Sequence, residues 1–206
     1  MTVRLHRADL PDDWTFGDAV AIDTETLGLE VGRDRLCVAQ LSRGDGDAAV
    51  VQIERGQTRA KNLERLLADP NVVKLFHFGR FDMAVLCKTF GVMAGPVYCT
   101  KIASKLARTY TDRHGLKDLT KELLGVELSK QQQSSDWGAD QLSDAQLAYA
   151  ASDVLHLHAL REKLDAILNR EGRDDLARAA FAYLPERVRL DLAGFGAMDI
   201  FSHAYP

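Results

Sequence analysis

Five side chains in this sequence have the types and spacing to do chemistry together: Asp23 and Glu25 in "AIDTETLGL", Asp82 closing "HFGRFD", and Tyr149 and Asp153 in "YAASD". Asp23 and Glu25 end an apolar run that reads as a buried strand, and residues two apart on a strand face the same side. Two ionised carboxylates held that way repel and raise one another's pKa unless a cation lies between them. The pair alone is a weak signal, because 30 of the 206 residues are Asp or Glu and such a pair also serves as solvated surface. Asp82 falls in the first turn of a predicted helix, where a lone acid can simply complement the positive N-terminus. Tyr149 and Asp153, four apart on a strongly helical stretch, share one face and would also make an ordinary structural hydrogen bond. Acids that converge without cysteine ligands suit hard cations such as Mg²⁺ or Mn²⁺.

The elements that must position these residues can be read from the pattern. "DAVAID" (18–23), "RLCVAQLS" (35–42) and "AAVVQIE" (48–54) read as three successive strands, plausibly antiparallel, separated by Gly/Asp-rich turns. Next come a helix in "KNLERLLAD", a buried strand in "NVVKLF", a helix in "FDMAVLCKTFG" closed by Gly91, and a short strand "VYCT" feeding the helix "KIASKLART". Helices then dominate: "GLKDLTKELLG", one from about Ser143 to Asn169, and "DDLARAAFAYL". Meander strands followed by strands alternating with helices describe a mixed sheet with helices packed on it, an α/β domain. The tail from Pro185 carries Leu192, Phe195, Ile200 and Phe201 and should cover something apolar, in its own domain or a neighbouring subunit.

Composition bounds the class. With 206 residues, 46% hydrophobic and 27% charged, the chain fits one soluble domain, and a cytoplasmic location is expected because no stretch approaches the length of a membrane span. Cys37, Cys87 and Cys99 are widely spaced in apolar surroundings and read as buried thiols. A net charge of -4 means that any nucleic-acid contact must rest on local positive charge. Lys101, Lys105, Arg108, Arg113, Lys117 and Lys121 fall in one such stretch, which is either a solvated face or a phosphate-contacting rim. His156 and His158 face different directions on a helix and read as core or surface histidines, not metal ligands.

In their order, "DTET", "HFGRFD" and "YAASD" resemble the three exonuclease motifs of the DEDDy branch of the DnaQ-like 3′-5′ exonucleases. "GLKDLTKELLGVELSKQQQSSDW" resembles the segment between the second and third motifs of ribonuclease D, and the likeness runs from about Val20 to Leu160. "TYTDRHGLK", "SKQQQSSDW" and "LDLAGFGAMDIFSH" are also similar to the nanoRNase C group, which degrades very short RNAs. One departure is that Phe78 follows His77, where the second motif usually has Asn.

The resemblance implies a ribonuclease H-like mixed sheet flanked by helices; the exonuclease domain is expected over 1–184 and the tail over 185–206, covering its own domain or a neighbouring subunit. It implies a 3′-5′ exoribonuclease that degrades short oligoribonucleotides, down to dinucleotides, to nucleoside 5′-monophosphates with two divalent cations, Mg²⁺ or Mn²⁺. In that scheme Asp23 bridges both metals, Glu25 and Asp153 complete the site holding the attacking water, and Asp82 binds the second metal largely through water. Tyr149 orients or deprotonates the nucleophile. A phenol with a reference pKa of about 10 is a poor base, so positioning is the expected role. Substrate contacts fall on the backbone at Thr26 and Leu27, the Leu27 side chain as a wedge, His77, Lys130 and Gln133, with Trp137 either stacking on a base or packing in the core. The expected partners are short single-stranded RNA and further copies of the chain, an octamer by the same resemblance. A DNA exonuclease is the alternative reading. A catalytically inactive nucleic-acid-binding protein and a polymerase-bound proofreading subunit are the remaining ones.

Overall fold

Runs of Val, Ile, Leu and Ala that are too short for helices pair here into a sheet buried on both faces. The computed structural model describes residues 2–129 and 131–203. Its strands are β1 (Val3–Arg7), β2 (Ala19–Thr26), β3 (Leu36–Ser42), β4 (Ala48–Gln52), β5 (Val73–Phe76) and β6 (Val97–Cys99). Among the described residues they form one mixed sheet in the order β1-β4-β3-β2-β5-β6. The β2-β3 and β3-β4 pairs are antiparallel, as the turn-separated pattern predicts, while β5 and β6 add in parallel. Strand β1, which the sequence reading did not include, pairs in parallel with β4 at the sheet edge. Its "VRLHR" stays half-exposed, so no apolar run announces it. Every residue of β3 and β4 is buried, which is the signature of strands covered by helices on both faces.

The helices are α1 (Lys61–Ala68), α2 (Arg80–Phe90), α3 (Thr100–Ala107), α4 (Leu116–Leu119), α5 (Asp144–Leu155), α6 (Leu157–Arg170) and α7 (Asp174–Leu190). Ser143 caps α5 through a reciprocal box with Gln146, fixing the start of the helix that carries Tyr149 and Asp153. The stretch expected as one helix from 143 to 169 is two. His156, at φ -104° and ψ -5°, breaks it. The break lets α5 lie across β2, β3 and β4 while α6 turns to pack on α3.

Helix α7 runs on through Pro185, where the tail was expected to begin, and a π-helical turn over Asp191–Phe195 follows. Arg80, in the first turn of α2, donates to both Asp191 carboxylate oxygens at 2.5 and 2.7 Å and to the Gly196 carbonyl at 2.9 Å. Arg187 joins the same acid at 2.9 Å. Beyond this anchor Leu192, Phe195, Ile200 and Phe201 are exposed. Among the described residues no helix is long and apolar enough to cross a membrane.

Strand β5, next to the acid-bearing β2, is held at its start by a buried cation. Lys74 is fully buried and donates to the carbonyls of Asp69, Val72 and Gly95 at 2.6, 2.8 and 2.6 Å. Burial pushes its ammonium down to about 8. Since an orphaned buried acceptor costs more than a bond gained, Lys74→Met should lower unfolding free energy by about 3 kcal/mol in urea denaturation. Wild-type stability in that variant would show that the three carbonyls find other donors.

Candidate active site

Asp23 and Glu25 sit near the carboxyl end of β2, opposite Gln40 and Val38 of β3. Helix α5 crosses this face and brings in Asp153, so that single carboxylate oxygens of Asp23, Glu25 and Asp153 lie within 4.8 Å of one another. Asp82 follows β5 in the first turn of α2 and is 4% exposed. It is outside that group of three, yet its charge acts on each of them.

Neutral donors hold these acids in place. Thr24 donates its hydroxyl to Asp82 Oδ1 at 2.6 Å, and Gln40 Nε2 donates to Asp23 Oδ2 at 2.5 Å. Neither residue was singled out from sequence. The only signal was a polar residue inside an otherwise buried strand, which does not name its partner. Among the described residues, no Lys or Arg forms an ion pair with any of the four acids.

The electrostatics follow from burial without a counter-charge. Burial, then the charges of Asp153 and Asp82, pushes Glu25 up to about 8. Burial raises Asp82 to about 7 against the Thr24 hydrogen bond, and raises Asp153 to about 7 against a hydrogen bond from Tyr149. Desolvation first, and then the charges of Asp82, Asp153 and Glu25, raise the half-buried Asp23 well above the usual carboxylate range. Tyr149 is pushed up as well, by burial first and then by Asp153, Glu25 and Asp23. It keeps its proton at neutral pH. Four acids with oxygen donors only, short of positive charge, fit a hard divalent cation in their chemistry.

The expected substrate contacts divide. A register shift between Glu25 and Thr26 ends the β2-β3 ladder. Leu27 then stands 55% exposed, consistent with a wedge, but its amide is already donated to Arg35 O at 3.2 Å. Thr26 donates its hydroxyl to Gly28 O at 2.5 Å. Gly138, not anticipated, backs Leu27: a Cβ there would meet Leu27 Cδ2 at 2.7 Å. Trp137 is 2% exposed and packs with Cys37, Val38, Val50 and Ala150, which leaves no ring face for a base. His77 shares a hydrogen bond between Nδ1 and Thr100 Oγ1 at 2.9 Å. Burial and then Lys101 push it down to about 3, so the ring is neutral, and it is partnered also by the His114 backbone. Gln133 is exposed, and Lys130 lies outside the described residues.

Other sequence candidates resolve structurally. Arg108 is fully buried, paired with Glu122 and bonded to Ser104 and the Arg113 carbonyl, so it is no part of a surface rim. Lys121 pairs with Glu127 at 2.5 Å. His156 breaks the helix and His158 packs on Gly44, neither of them beside the acids. Cys37 and Cys99 are buried, and Cys87 is half-buried.

The model of a 3′-5′ exonuclease family matches residues 9–169. The solved structure of Brucella melitensis NrnC with bound Mg²⁺ superposes with a TM-score of 0.95 at 60% identity, covering 99% of this chain and 100% of that one. The same protein bound to pGG matches with a TM-score of 0.95 at 61% identity and the same coverage. Ribonuclease D of Acidiphilium cryptum is 36% identical over 167 residues, 81% of this chain and 42% of the relative. The chain thus spans about two fifths of the length of the first curated relatives it matches.

The raised acids set a direction for pH. A carboxyl raised in the folded state contributes fully below its unfolded pKa of about 4 and loses that contribution as pH climbs through its folded value, here about 7 to 8 for Glu25, Asp82 and Asp153. Asp23→Asn removes one repelling charge. Without metal it should stabilise the protein at pH 8 by about 2 kcal/mol, with little gain at pH 5, by thermal denaturation in chelator. A gain equal at both pH values would contradict the repulsion.

Proposed function

The chain belongs to the 3′-5′ exonuclease family, and from that premise we propose that it is a metal-dependent exoribonuclease acting on short oligoribonucleotides, down to dinucleotides, and releasing nucleoside 5′-monophosphates. The observation that carries this reading is the convergence of Asp23, Glu25 and Asp153 within 4.8 Å, with Asp82 tied to the strand between them through Thr24. The likeness to NrnC, a protein solved with Mg²⁺ and with pGG, supports both the cation and the short substrate.

In this reading Asp23, Glu25, Asp82 and Asp153 hold two divalent cations, Mg²⁺ or Mn²⁺. Bound there, the cations supply Lewis acidity at the phosphate and acidify a water enough to yield hydroxide at neutral pH. The protein's own part is placement. Tyr149 retains its proton and donates it to Asp153, which leaves the phenol oxygen to orient the attacking water by accepting from it, since a phenol raised above its ordinary pKa cannot serve as the base. Water adds at phosphorus and the 3′ oxygen of the preceding nucleoside leaves. Leu27, backed by Gly138, wedges against the terminal base. The exposed Leu192, Phe195, Ile200 and Phe201 support self-association through the tail.

A time course on 5′-labelled RNA and DNA of two to about twenty nucleotides, with Mg²⁺ and with Mn²⁺, tests the activity. Stepwise shortening from the 3′ end is expected, fastest on the shortest RNAs; intact substrates in both metals would refute it, and faster cleavage of DNA would favour a DNA exonuclease. Tyr149→Phe should lower kcat by roughly 10²-fold or more while keeping the rise in Tm that added metal gives, and wild-type turnover would remove its positioning role. Light scattering on the eluting protein should give a mass several times that of one chain, and a monomer would dismiss the tail as an interface.

A further inference from the structure

Two apolar side chains stand in solvent on opposite sides of the acids. Leu27 leaves β2 toward β3, with its amide bonded to Arg35. Phe78 follows β5, the strand on the other side of β2. The parallel register sets Ala21 beside Leu75, so the chain after β5 continues alongside Asp23 and Thr24. Leu27 is 55% exposed and Phe78 47%, one following the acid-bearing strand and the other following its parallel neighbour.

Phe78 is there at a conformational cost. Its φ of 65° lies in the left-handed region, which suits Gly and Asn and penalises a bulky side chain. With half the residue in solvent, burial does not offset that strain. Lys101 Nζ sits over the ring, 4.4 Å from its centroid. Lys101 comes from the first turn of α3, and among the described residues no carboxylate lies within ion-pairing distance of its ammonium. A strained aromatic plate and a cation without a carboxylate partner among the described residues therefore flank the turn that leads from β5 into the helix bearing Asp82. Strain kept at a site that packing does not reward is a mark of use.

Resting on the exonuclease reading, we propose that Phe78 and Lys101 form a subsite for the nucleoside on the 5′ side of the scissile phosphate. The free ring face stacks on its base and the ammonium pairs with phosphate. Leu27 meets the 3′-terminal base and Phe78 meets the base across the cleaved bond, so two nucleotides fill the span between the exposed side chains. The grip is sequence-tolerant, since every base presents a π face. Phe78 is thereby a specificity residue for substrates with at least two bases.

The test compares kcat/KM for a diribonucleotide with that for the methyl ester of a ribonucleoside 5′-monophosphate, which keeps the scissile diester and lacks the second base, with Mg²⁺ or Mn²⁺ supplied. Phe78→Asn places a side chain suited to left-handed backbone, so its Tm should equal or exceed that of the wild type. The dinucleotide-to-ester ratio should fall roughly ten-fold, within the about 5- to 150-fold that a stacked base is worth, and the fall should lie in KM. Phe78→Trp should keep the wild-type ratio. Lys101→Met should flatten the dependence of log KM on log salt by about 0.7. A wild-type ratio in Phe78→Asn, or a Trp variant as poor as the Asn one, overturns the subsite alone. A wild type that cleaves neither substrate overturns the exonuclease reading and the subsite with it.

Discussion

Asp23, Glu25, Asp82 and Asp153 gather four like charges away from bulk water, and the surrounding structure is organised by their mutual repulsion. At an effective dielectric of about 20, two unit charges separated by something under 4.8 Å repel by about 3 to 4 kcal/mol. Among the described residues no arginine or lysine pairs with these acids, and the side chains that hold them are neutral donors: the Thr24 hydroxyl, the Gln40 amide and the Tyr149 phenol. Neutral donors fix where each carboxylate points without quenching its charge, and so leave the compensating charge to whatever cation enters. A counter-charge built into the protein would have made a more stable apo fold and a worse cation site.

Holding repelling groups at fixed positions demands rigid supports, and the acids are mounted on them. Asp23 and Glu25 are on a strand flanked on both sides by hydrogen-bonded neighbours. Asp82 is in the first turn of a helix separated by three residues from a buried strand, and Asp153 is on a helix with a satisfied capping box. The irregular parts lie just outside this frame: the register shift after Glu25, the left-handed Phe78, and the loop that carries Gly138 behind Leu27. Rigid placement of the reacting groups thus coexists with irregular backbone where the substrate must be accommodated.

How much of this was legible in the sequence depended on whether a residue's role leaves a periodic trace. β2, β5, α2 and α5 do so through apolar spacing, and the order of their acidic motifs located the candidate site. Strand β1 leaves none, because an edge strand with a half-exposed pattern looks like a loop. The break at His156 has neither Gly nor Pro to mark it. Gln40 and Lys74 were visible as polar residues inside buried runs, but linear spacing does not say which carboxylate or carbonyls they reach. Trp137 could have been platform or core, and only three-dimensional packing decides where a large ring goes. The positive φ of Phe78 is unreadable in principle, since that backbone state normally signals Gly or Asn.

One remaining contact ties distant parts of the chain together. Arg80, two residues before Asp82, spends its guanidinium on Asp191 and on the Gly196 carbonyl. The C-terminal segment is therefore latched to the same helical turn that orients an acid of the cluster. The placement of that turn therefore draws on residues more than a hundred positions away in the chain, and not on its own strand and helix alone.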